Sequence, residues 1–91
     1  MIRLNVFVRV DAVNREKAIE AAKALTACSL KEEGCIAYDT FESATRPDVF
    51  MICETWQNAE VLAVHAKSAH FAQYVGIIQE LAEMKLEQFE F

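Results

Sequence analysis

Glycine and proline are nearly missing from this 91-residue chain, which has two of the first and one of the second. Two glycines cannot build a loop that cradles phosphates, so nucleotide binding of the glycine-rich kind is excluded. Cysteine is scarce and odd in number: Cys28, Cys35 and Cys53, with no C-x-x-C among them. That argues against a disulfide framework and a zinc knuckle, and leaves free thiols in the interior. Cations are outnumbered, with nine Lys and Arg against fourteen Asp and Glu and a net charge of −5. Nucleic acid and anionic membrane therefore find no basic footprint here. No apolar run approaches the roughly 20 residues that span a bilayer. The opening "MIRLNVFVRV" alternates instead of forming a signal peptide's apolar stretch, so the cytoplasm is the expected location.

What is present is apolar, at 54% of residues. That is high for a chain with so much surface per volume, and part of it is expected against a second copy of the protein. The length suits one domain over residues 1–91, with no linker or repeat.

Residues 2–10 alternate: Ile2, Leu4, Val6, Val8 and Val10 share one face, Arg3, Asn5, Phe7 and Arg9 the other. A strand follows. Asn14 is expected to cap a helix whose inner stripe runs through Ala18, Ile19, Ala22, Leu25, Thr26, Ser29 and Leu30, closing at Gly34. "CIAYDTFE" (35–42) and "VFMICETWQ" (49–57) read as a hairpin around "SATRPD", with Pro47 at a turn's second position. Asn58 caps a helix to about Lys67, and Ser68 caps another to about Glu83. "MKLEQFEF" is the closing strand, with Phe89 and Phe91 on one face and a slip after Leu86 that suggests a bulge.

The order is β-α-β-β-α-β with a broken second helix, an α+β ferredoxin-like arrangement. Four antiparallel strands would carry the helices on one face. The other face would be covered by a second subunit, making a dimer.

The stretch "ETWQNAEVLAVHAKSAHFAQY" (54–74) gathers both histidines, the one tryptophan and one of two tyrosines. Helical spacing turns His65, His70 and Tyr74 roughly inward, above strands carrying Tyr38, Glu54 and Trp56. A neutral imidazole there can accept a proton, and a buried Glu54 must be paired or functional. H-x4-H does not match the i, i+4 spacing of the H-E-x-x-H metal motif, so no metal centre is expected.

"GCIAYDTFESATRPDVFMICETWQNAEVLAVHAKSAHFAQY" (34–74) resembles the antibiotic biosynthesis monooxygenase family in its G-x-x-x-Y strand, its E-x-W and its helical H-x4-H-F, and the first strand supplies the matching Asn. The resemblance spans essentially the whole chain. It implies a dimeric α/β barrel with a pocket between sheet and helices, and cofactor-free oxygenation of a small quinol or polyphenol by dioxygen. His65, Glu54 and His70 would be the catalytic candidates, with Asn5, Tyr38, Trp56, Phe71 and Tyr74 around the substrate. The haem-degrading branch places an axial histidine where this chain has Val75, and a bulky tryptophan where it has His65, so haem degradation is not expected. Isomerisation of a small carbonyl compound and ligand binding without turnover remain the alternatives.

Overall fold

Alternation in the first strand decides which way the sheet faces. β1 (Ile2–Val10) buries Ile2, Leu4, Val6, Val8 and Val10 and turns Arg3, Phe7 and Arg9 outward. The computed structural model describes residues 1–91 and adds α1 (Ala12–Ser29), β2 (Cys35–Glu42), β3 (Val49–Trp56), α2 (Ala59–Ala66), α3 (Ala69–Leu81) and β4 (Ala82–Glu90). The strands form one antiparallel sheet in the order β2-β3-β1-β4. All three helices pack on one side, which is the ferredoxin-like arrangement. The sheet is open; within one chain it does not close into a barrel.

Several boundaries differ from the sequence reading. α1 begins after Asp11, not at Asn14, because the chain turns directly out of β1 and the Asn14 amide already bonds the Asp11 carbonyl at 3.0 Å. Its buried face is Ala18, Ile19, Ala21, Ala22, Leu25 and Ser29; Leu30 lies past the last helical residue and is exposed. The helix ends five residues before Gly34. Overlapping turns follow, in which the Lys31 and Glu32 amides bond the Cys28 and Ser29 carbonyls. Gly34 completes the reversal at φ +83°, and any Cβ there would stand 2.6 Å from the Val61 methyls. Only glycine fits.

β4 starts at Ala82 and pairs with β1 without interruption, so the suspected bulge after Leu86 is absent. The irregularity lies between Cys35 and Ala37 instead, where β2 meets β3. Asn58 and Ser68 do cap their helices, accepting from the Val61 and Phe71 amides.

The core lies between sheet and helices, around Trp56, Phe50, Leu25, Ile52 and Ile78. The opposite face carries Phe7, Phe41 and Phe89 in the open, at 37%, 52% and 50% exposure. No helix is long and apolar enough to cross a membrane.

Candidate active site

Four elements converge on His65. It sits near the C-terminal end of α2, 1% exposed, with its ring centroid 4.5 Å from Trp56, 5.8 Å from Tyr38 and 5.2 Å from Phe71. Trp56 is fully buried beneath it and donates from Nε1 to Glu54 Oε1 at 2.8 Å. Strand parity explains this group: Glu54 and Trp56 are two apart on β3, and Glu54 pairs directly with Tyr38 on β2.

The residue that organises the imidazole was not singled out from the sequence. Glu32, in the turn between α1 and β2, accepts from His65 Nδ1 at 2.5 Å and from His70 Nε2 at 2.9 Å, both on Oε2. A carboxylate oxygen accepts, so the acceptor assigns the proton of His65 to Nδ1. Burial holds the His65 imidazole below its ordinary pKa, against the opposing pull of Glu32. A neutral ring protonated on Nδ1 keeps a bare lone pair on Nε2. That nitrogen is buried, has no hydrogen-bond partner, and lies 4.0 Å from Glu54 Oε1.

Burial also pushes the Glu54 carboxyl up to about 7, although the Trp56 N–H favours its anion. Tyr38 is raised as well, first by burial and then by the charge of Glu54, so its phenol keeps its proton. One nitrogen base, one carboxyl near neutrality and one phenol therefore face the same space. That space is a cavity of about 400 Å³, lined mainly by aliphatic side chains together with Tyr38, Glu54, His65 and Phe71.

His70 stands behind this wall, partly exposed, and reaches His65 only through Glu32. Trp56 supports the floor without lining the cavity. Two expected lining residues lie elsewhere. Asn5 is on the other face of the sheet, opposite Cys53, because odd positions of β1 point away from the helices. Tyr74 turns toward α1, in a separate hollow with Val13 and Ile77, since its stripe on α3 is a quarter-turn away from Phe71 and Val75.

Glu32, His65 and His70 are also metal-ligand types, with their ligand atoms within 4.8 Å of one another. In this structure the three groups hydrogen-bond to one another, at 2.5 and 2.9 Å. No sequence spacing announces the set, because 33 residues separate Glu32 from His65.

The family pattern described as "Antibiotic biosynthesis monooxygenase" matches residues 1–76. YcnE of Bacillus subtilis, provisionally named a monooxygenase, is 31% identical over 87 residues, covering 96% of this chain and 92% of that protein. A conserved protein of unknown function from Bacteroides thetaiotaomicron, described as a possible oxidoreductase, is 89% identical with a TM-score of 0.98, covering 99% of this chain and 96% of that one. SnoaB of Streptomyces nogalater, a cofactor-independent oxygenase solved as a mutant, shares the fold at a TM-score of 0.88 with 9% identity, over 99% and 91% of the two chains.

Proposed function

The chain belongs to the antibiotic biosynthesis monooxygenase family, and we propose that within it the protein is a cofactor-independent monooxygenase of a small quinol or polyphenol. The observation that carries this reading is the unpartnered, buried Nε2 of His65 at the wall of an apolar cavity. A quinol hydroxyl set against that nitrogen gives up its proton to it. Glu32 holds the ring by Nδ1–H and stabilises the imidazolium that forms. The quinol anion is electron-rich enough to reduce dioxygen directly. One oxygen atom enters the ring and the other leaves as water, so quinol plus dioxygen becomes hydroxyquinone plus water. Tyr38 and the protonated form of Glu54 can donate to the oxyanion as charge develops.

The working unit in this reading is a cytoplasmic homodimer, with a second copy covering the aromatic face of the sheet. Support comes from the three exposed phenylalanines there.

Dioxygen uptake by metal-stripped protein tests the chemistry, with a panel of hydroquinones and naphthoquinols run against autoxidation. Saturable uptake is expected, reduced about 100-fold or more in His65→Ala. Uptake no faster than autoxidation across the panel would sink the proposal. Turnover of a carbonyl compound without oxygen would favour an isomerase instead.

A further inference from the structure

Glu32, His65 and His70 reach one point from three segments: the turn after α1, the end of α2 and the start of α3. One Glu32 oxygen faces Nδ1 of His65 at 2.5 Å and Nε2 of His70 at 2.9 Å. The three ligand atoms all lie within 4.8 Å of one another. Two imidazoles and one carboxylate are the donor set of zinc and its first-row neighbours, whereas magnesium and calcium prefer oxygen ligands.

A second observation lies on the far side of the His65 ring. Its Nε2 is buried without a partner, and Glu54 Oε1 stands 4.0 Å away. A histidine that ligates a metal through one nitrogen carries its proton on the other and turns it to a carboxylate or carbonyl. His65 already has that outer carboxylate beside it, itself held by the Trp56 N–H.

We propose that Glu32, His65 and His70 bind one divalent ion of the zinc class, which switches off the base at the cavity wall by moving the His65 proton from Nδ1 to Nε2. The binding half stands apart from the oxygenase reading. The switching half rests on that reading, in which His65 is the base.

The fit needs little movement. Zinc holds nitrogen and oxygen at about 2.0–2.2 Å, so tetrahedral ligand atoms lie about 3.4 Å apart. Glu32 Oε2 withdraws from the two rings by about 0.5–0.9 Å, a small change for a side chain on a turn. Glu32 and His70 are partly exposed, so an ion has a way in and water can take a fourth position. Two N–H bonds give way to two N–metal bonds, and no oxidation state changes. His65 regains its proton on Nε2, while that of His70 passes to its Nδ1 or to solvent. Nε2 of His65 then donates toward Glu54 and offers the cavity no lone pair.

Titration of the chelator-treated full chain with Zn²⁺ tests the site, with Co²⁺ as the coloured substitute and nitrogen NMR of the histidines to read the tautomer. One ion per chain is expected, with the His65 proton on Nε2 in the zinc form alone. Outer partners of a metal ligand are worth about 10–100-fold in affinity, so His70→Ala and Glu32→Gln should each weaken Zn²⁺ at least about 10-fold. Thermal midpoints of the metal-free variants check that they fold. Zn²⁺ held instead by the free cysteines would survive both substitutions. Zinc should also lower dioxygen uptake by wild type about 100-fold, as removal of the base does, and lower it far less in His70→Ala, each relative to its own metal-free rate. Absence of binding, binding that survives both substitutions, or a His65 proton that stays on Nδ1 overturns the proposal. So does full uptake by the zinc-loaded protein. Zinc binding with the change of tautomer, but no uptake by the metal-free protein, removes the oxygenase reading alone. Saturable uptake with no zinc binding removes the metal site alone.

Discussion

The two faces of this one sheet solve opposite problems. The helix-covered face buries Glu54 and His65 among aliphatic and aromatic side chains. The uncovered face leaves Phe7, Phe41 and Phe89 in the open beside Arg3, Asn5 and Arg9. Buried polar groups are costly unless partnered, and clustered exposed aromatics are costly unless covered. The first face finds most of its partners inside the chain and leaves two buried atoms, His65 Nε2 and Ser29 Oγ, without one. The second finds almost none inside. On the proposed reading a small molecule completes the former, and a second copy of the protein the latter.

The contrast is tested most strongly at Trp56, which is fully buried and holds both Glu54 and the His65 ring in place. Trp56→Ala should cost about 3–5 kcal/mol in urea unfolding, whereas truncating Phe89 to Ala on the open face should cost far less in a monomeric background. Comparable losses would erase the distinction.

Next in size is a pH effect confined to the covered face. The folded-state pKa of Glu54 is raised from 4.5 to about 7, so the folded chain holds a proton that the unfolded chain releases. Its contribution is therefore greatest below pH 4.5 and falls as pH rises to about 7, by up to about 3 kcal/mol. The stability difference between wild type and Glu54→Gln should drift against wild type over that window. A flat difference would show that Glu54 is ionised throughout.

On the open face, Phe89→Glu should convert a dimer to a monomer in sedimentation, while circular dichroism of the fold stays unchanged. A wild type that sediments as a monomer at all concentrations would remove the need for a covering copy. The smallest effect belongs to the ion pair between Arg9 and Glu83, 2.9 Å apart and mostly exposed on both sides. Arg9→Gln should shift stability by less than about 1 kcal/mol, in contrast to the buried charges across the sheet.

Much of the fold could be read from local pattern. Period two in β1 announced both faces, and Asn58 and Ser68 marked two helix starts by side-chain chemistry that works at short range. The start of α1 was misplaced because Asp11 caps by backbone geometry alone, with no side-chain bond to betray it. Within the site, parity brings Tyr38, Glu54 and Trp56 to the helix side, and that same parity assigns Asn5 to the opposite side despite the family likeness. Glu32 was hidden in "KEEG", a run that looks like any solvated helix end. Its role depends on a turn closing against a helix some thirty residues later, which no local period encodes.

The break between α2 and α3 works like the joint of a caliper. In an unbroken helix, residues five apart point about 140° away from each other, and no single atom could touch both. Here one serine oxygen ends the first rod and starts the second, donating to the His65 carbonyl at 2.7 Å and accepting from the Phe71 amide at 3.2 Å. The two jaws, His65 and His70, close on a single oxygen of Glu32. Any rotation at the joint is thus read out immediately as a change in the gap between the jaws, and the setting of the roof and the setting of the base are one adjustment.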